Sequence, residues 1–235
     1  MINIRVFLIT ILIWCSATIS FAAPYAAIVI DADTGKVLHS ESANTRLHPA
    51  GLTKLATLYA AFEAVETREV DLDAKVRVSL KAASEELAAL GMREGQRVSI
   101  RDLIRATAIK GANDTSTALA EAISGSEQAF TKRLDETAKK LGLSRSTFKN
   151  AHGLTEKGHL STASDMAFLM QAIADDFPSY LFILGRINHS AAGKKSLTPH
   201  GVYLKDTRAL LQQILAIQER LALMEFYWLR KKMNG

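Results

Sequence analysis

A proline–glycine turn that runs straight into a long apolar periodicity does most to constrain this chain. His48-Pro49-Ala50-Gly51 breaks whatever precedes it, and from Leu52 the apolar residues recur at Leu55, Leu58, Tyr59, Phe62 and Val65. That is the spacing of a helix with one buried stripe, and Pro49 is at home just outside such a start. The pattern predicts a helix ending near Glu66. Lys54 then lies in the first turn of a mostly buried helix. A cation there opposes the helix macrodipole, and burial penalises its charge. Both effects favour a neutral amine, the form a general base needs. A lysine that snorkels to solvent is the competing reading.

Upstream, Arg5 is followed by an apolar run from Val6 to Trp14, then by Cys15 and small or polar residues ending at Ser20-Phe21-Ala22-Ala23. These are the three parts of a secretory signal, with cleavage expected after Ala22. Its apolar core is too short for a spanning helix. The reading divides the chain into a signal at 1–22, a body at 23–185 and a divergent tail at 186–235, and it expects an exported, periplasmic protein. Cys15 is the only cysteine, so the mature chain must hold together by its core alone. The net charge of +5 belongs to the tail, which carries nine Lys/Arg against three Asp/Glu, whereas the body carries nineteen against twenty-one. For an exported chain this argues against a nucleic-acid partner and makes anionic lipid the natural counter-surface.

Along the body, Tyr25 to Ile30 reads as a strand and Lys36 to Ser40 as its partner, with hairpin chemistry between them and Gly35 free to take positive φ. A short strand is expected at Val76-Arg77-Val78, and Ser79 can cap a helix. Ser99 with Asp102 forms a capping-box pattern for a helix through Lys110. A polar break, Lys110-Gly111-Ala112-Asn113-Asp114, precedes a helix to about Ile123. Ser126 opens another, stopped by Gly142, and Thr162 with Asp165 opens one through Ala174.

These pieces, in this order, resemble the serine D-alanyl-D-alanine carboxypeptidases, the low-molecular-weight penicillin-binding proteins. The resemblance rests on Tyr25 to Ser40, Pro49-Ala50-x-Leu52-Thr53-Lys54, Arg101-Asp102-Leu103, Ala112-Asn113-Asp114 and Leu141-Gly142. Phe148-x-Asn150, Gly153-Leu154 and Thr162-Ala163-x-Asp165-Met166-Ala167 continue it. It implies an α/β fold of the penicillin-binding/β-lactamase-like transpeptidase type, acting without cofactor or metal on peptidoglycan stem peptides ending in D-Ala-D-Ala. In that family the serine of S-x-x-K is acylated and the lysine one turn on takes its proton. A second motif, S-x-N, lines the opposite wall, and a K-T-G strand binds the terminal carboxylate. By resemblance, Lys54 is the general base and Asn113 the asparagine of the second motif.

The chain departs from that pattern at three places. Gly51 stands at the nucleophile position, Gly111 stands where the second motif has serine, and no K-T-G occurs. Glycine has no atom that can be acylated; in another serine hydrolase, loss of the nucleophile costs about 10⁶-fold in turnover. Thr53 is no substitute, since adjacent helical side chains diverge by about 100°, and Ser116 falls inside the next helix. The resemblance fades after Phe177-Pro178. From Asp206 to Lys232, Leu210, Ile214, Ile217, Leu221, Met224 and Trp228 trace an amphipathic helix where the family has its remaining sheet strands. The expected fold is therefore truncated: a helical region and an N-terminal hairpin, with the later strands replaced by that helix. Intramolecular packing, self-association and docking on a membrane surface are the roles open to it. None of the six histidines shows the close spacing of a metal motif. A non-catalytic peptidoglycan-binding or protein-interaction module is the alternative to an inactive carboxypeptidase relative.

Overall fold

The computed structural model describes residues 25–181, apart from Asp33; the expected signal and the expected helix from Asp206 to Lys232 lie outside the described residues. Strands β1 (Ala27–Ile30) and β2 (Val37–Glu41) form an antiparallel hairpin. Gly35 N–H donates to the Asp31 carbonyl at 2.8 Å, and Gly35 at φ +68° supplies the left-handed residue that the turn needs. A 3-10 turn, Ala50–Leu52, leads into helix α1 (Thr53–Glu66). Then follow β3 (Lys75–Arg77), α2 (Leu80–Ala83), β4 (Arg97–Ser99), α3 (Ile100–Lys110), α4 (Asn113–Ser124), α5 (Glu127–Lys140) and α6 (Ala163–Asp176).

Four hydroxyl caps set where helices begin. The side chains of Ser79, Ser99, Ser126 and Thr162 accept the backbone N–H of Ala82, Asp102, Ala129 and Asp165, each at 3.0–3.2 Å. Each cap is worth about 1 kcal/mol, and each is one that the sequence announces. The short strand expected at Val76 is present one residue earlier, and it pairs antiparallel with β4, which the sequence reading had not assigned. Among the described residues the sheet structure is thus two separate two-stranded ribbons, the truncated form of the expected fold.

Helix α1 is the centre of the domain. Ten of its fourteen residues are buried, and α3, α4, α5 and α6 all pack against it. The sequence pattern suggested one buried stripe; the structure closes around the helix on nearly every side. Ala56, Ala60, Ala61 and Ala64 explain the difference, because methyl side chains let neighbouring helices approach faces that the Leu58–Tyr59–Phe62 stripe does not cover. Phe177 and Tyr180 cap its far end, with their rings 5.8 and 4.5 Å from that of Phe62. The polar first turn of α1 sits at the opposite end, where the candidate site lies.

Candidate active site

Lys54 is 8% exposed, so it does not snorkel to solvent. Its Nζ donates to Asn113 Oδ1 and to the backbone carbonyl of His152, both at 2.7 Å. Burial pushes the ammonium down to about 8. A neutral amine has two N–H groups, and two acceptors are provided, so its lone pair is left over. That lone pair is the chemically useful feature, since it can take a proton from an acid placed beside it.

Asn113 opens α4 and ties the lysine to the opposite wall. Its Nδ2 donates to the carbonyls of Leu87 at 3.0 Å and Glu86 at 3.3 Å, and its backbone N–H to that of Ala88 at 3.0 Å. The amide orientation follows from its partners: a lysine can only donate, and two carbonyls can only accept. Both side-chain N–H groups are thereby spent, leaving one Oδ1 lone pair for any ligand. The adjoining Asp114 is 1% exposed, and its carboxylate accepts the backbone N–H of Leu90, Gly91, Met92 and Thr115. Segment 86–92 is therefore strapped to the start of α4.

The segment 150–154 forms the other wall, and both the 3-10 turn and the first turns of α1 meet it. Ala50, Lys54 and Thr57 all touch it; the Thr57 hydroxyl donates to the Ala151 carbonyl at 2.6 Å. The closest approach is at Gly153, φ +93°, where an added Cβ would lie 1.8 Å from the Ala50 carbonyl oxygen. Ala50 itself is left-handed at φ +47°, a conformation that costs an L-residue about 1–2 kcal/mol.

The two positions that lack the expected hydroxyl differ. Gly51 lies exposed in the 3-10 turn before α1. Gly111 ends α3 at φ +63°, with nothing within 4 Å of an added Cβ. The two hydroxyls weighed as substitutes are engaged elsewhere. Thr53 Oγ1 meets His159 Nε2 at 2.9 Å, and Ser116 Oγ donates to the Ala112 carbonyl at 2.9 Å. The His159 tautomer follows from its other nitrogen. Lys149 N–H donates to Nδ1, so Nε2 carries the proton and Thr53 accepts it; burial lowers this imidazole to about 4 and keeps it neutral. Among the described residues no hydroxyl stands in hydrogen-bond contact with Lys54 Nζ.

Behind the His152 carbonyl lies a cluster that only tertiary packing assembles. His152 Nε2 sits 3.5 Å from Glu85 Oε2 and 3.6 Å from Glu127 Oε1, and Lys81 Nζ pairs with Glu127 Oε2 at 2.6 Å. The three ligand atoms lie within 4.8 Å of one another, a separation a metal ion could bridge. The donor chemistry does not fit one. Leu154 N–H donates to His152 Nδ1 at 3.2 Å, which puts the imidazole proton on Nε2 and removes the lone pair a metal would need. Lys81 already supplies the positive charge. Burial outweighs the two carboxylates and depresses the imidazole's basicity, so the cluster reads as a neutral His donor held between acids. Glu127 Oε1 also accepts Ala151 N–H at 2.9 Å, which fixes the backbone that presents the His152 carbonyl to Lys54. Glu85, Glu127 and His152 come from three separate stretches of chain, and no motif read in the sequence marked them as partners.

The lysine's lowered basicity has a measurable consequence. Between about pH 8 and the unfolded value of 10.5 the unfolded chain binds more protons at Lys54 than the folded chain does, so stability rises with pH across that window. Comparing urea midpoints of the parent and Lys54→Met from pH 7.5 to 10 (tyrosine ionisation interferes above about 10) should show a rise in the parent that the variant lacks. Parallel pH profiles would mean that the amine is not desolvated.

This is a helical penicillin-binding-type domain with a lysine–asparagine pair at its centre. The D-alanyl-D-alanine carboxypeptidase family matches residues 16–199, and the chain belongs to that family. It is 40% identical over 148 residues to D-alanyl-D-alanine carboxypeptidase DacF of Bacillus subtilis, covering 63% of this chain and 38% of that protein. Against DacC of Escherichia coli it is 36% identical over 159 residues, covering 65% of this chain and 40% of the relative. The chain thus spans about two-fifths of the length of these relatives. Among solved structures, the carboxypeptidase DacD of Francisella tularensis superposes with a TM-score of 0.67 at 32% identity, covering 72% of this chain and 41% of that one. Penicillin binding protein 6B of Escherichia coli gives 0.68 at 28% identity, covering 81% and 63%.

Proposed function

We propose that this chain is a carboxypeptidase-family protein that keeps the proton-accepting half of the site and cannot form an acyl-enzyme. Gly51 carries the reading: a site whose chemistry begins with a hydroxyl has no side chain where that hydroxyl belongs. In it Lys54 descends from the general base and Asn113 from the second-motif asparagine, while Gly111 lacks the second hydroxyl. The relatives' names point to stem peptides ending in D-Ala-D-Ala as the ancestral substrate. The signal-like residues 1–22 support export to the periplasm, where such peptides occur.

Incubation of the purified chain with a fluorescent penicillin tests the proposal. No label should survive denaturation, because the stable adduct of such proteins is an ester to serine. A covalent, denaturation-resistant label that disappears in Lys54→Met would sink it.

A second reading, retention of the stem peptide without cleavage, draws on one observation. The Lys54–Asn113–His152 arrangement is intact and buried, which is more order than a site without any task needs. Saturable binding of D-Ala-D-Ala muropeptides would support it, and its absence in calorimetry would remove it.

A further inference from the structure

The β3–β4 ribbon has an arrangement of charge that the fold alone does not account for. Its register pairs Lys75 with Ser99, Val76 with Val98 and Arg77 with Arg97. Directly opposite residues share a face, so Val76 and Val98 turn toward the core while Lys75, Arg77 and Arg97 turn outward together. Like charges directly opposite one another are destabilising. The pairing continues past the strands, with Val78 N–H donating to the Gln96 carbonyl and Gly95 N–H to that of Val78. Arg93 is exposed in the closing turn, and the Arg77 guanidinium lies 3.2 Å from where a Cβ on Gly95 would stand. Among the described residues none of these four cations has a carboxylate within 4 Å, although Glu94 shares the turn. Arg101 and Lys81, close by in sequence, are both paired.

Exposed leucines lie next to the same ribbon along the chain. Leu80, two residues beyond Val78, is 63% exposed, and Leu90, which leads into the turn, is 54% exposed. Arginine-rich cations beside exposed apolar side chains match an interface that is phosphate on its surface and hydrocarbon beneath. A soluble phosphate polymer would engage the cations and leave the leucines without a role.

We propose that the outer face of the β3–β4 ribbon, with Leu80 and Leu90 next to it along the chain, docks on an anionic phospholipid surface. Arg77, Arg93 and Arg97 meet the headgroup phosphates, where guanidinium groups bind two oxygens at once. The leucines seat below them. The contact is peripheral, since no helix among the described residues is long and apolar enough to cross a membrane. It is independent of the reading of the Lys54 site and of the basic tail.

The test is co-sedimentation of the full chain with phosphatidylglycerol–phosphatidylcholine vesicles and with pure phosphatidylcholine vesicles. The anionic vesicles should bind it and the neutral ones should not, with binding falling as salt rises. The triple variant R77Q/R93Q/R97Q should partition about a hundredfold more weakly, and L80S/L90S should also weaken binding. R230Q/K231Q/K232Q should retain ribbon-dependent binding. Hydrogen exchange of the unaltered chain, with and without vesicles, gives a readout that needs no variant: protection should appear at 75–80 and 90–97. The proposal is overturned if the triple variant binds as the parent does, if only the tail variant loses binding, or if protection falls elsewhere. It is also overturned if inorganic polyphosphate binds as tightly as vesicles and L80S/L90S leaves vesicle binding unchanged, which would identify a phosphate polymer instead.

Discussion

Gly153→Ala should lower the stability of the domain by more than about 3 kcal/mol, a larger loss than substitution at the other glycines of the site. The added methyl would fall 1.8 Å from the Ala50 carbonyl oxygen, 2.6 Å from its carbon and 2.8 Å from Thr53 Oγ1. Two of those three atoms are backbone, so relief requires the 3-10 turn before α1 and segment 150–154 to separate. Overpacking a tight contact costs about 1–3 kcal/mol or more, and φ +93° adds the strain of a conformation that L-residues avoid. The separation would also withdraw the His152 carbonyl from Lys54. Gly111→Ala is the control. It shares the positive φ but meets nothing within 4 Å, so about 1–2 kcal/mol is expected. Urea unfolding of both variants decides the matter; equal midpoints would show that the approach to Ala50 relaxes freely.

Asp114→Ala should have an effect of similar size, on the order of 3–5 kcal/mol, and should loosen one wall of the site. Four backbone N–H groups, those of Leu90, Gly91, Met92 and Thr115, lose their acceptor together. An unpaired buried donor costs about 1–3 kcal/mol, though the half-buried members of the set can recover water. The segment they hold contains Leu87 at φ +58° and Ala88 at φ +44°, conformations that persist only where surrounding contacts over-determine them. With the strap gone, 86–92 should relax, and Asn113 should lose the carbonyl partners that orient it toward Lys54. Amide exchange at residues 88–92 measures this directly. Unchanged protection there would show that Asn113 alone suffices to hold the wall.

Helix positions were readable because the signals that set them are local. A hydroxyl three residues before the N–H it accepts, as at Ser99 and Asp102, needs no tertiary partner to be recognised. The central helix was visible from its apolar spacing, but its burial on nearly all sides was not, because alanine is compatible with either a buried or an exposed face. Strand β4 was hidden for a related reason. Three residues, Arg97–Ser99, show too little alternation to signal a strand, and their partner lies far away along the chain.

The same division runs through the site. The residues at 51, 54, 111 and 113 were read from their order among the motifs that carry the family resemblance. From that order came the family, and with it the expectation of a truncated helical fold that lacks hydroxyls at 51 and 111. The sequence left open whether Lys54 is a solvated relic or a buried amine. Only the packed structure decided that, because desolvation depends on what closes over a side chain. Here the closure is made by the His152 carbonyl, by Asn113, and by a backbone contact at Gly153 that a single methyl group would prevent. The cluster of Glu85, Glu127 and His152 behind that carbonyl was likewise the work of tertiary structure. Side chains from three distant stretches carry no mark of their meeting until the chain between them is folded.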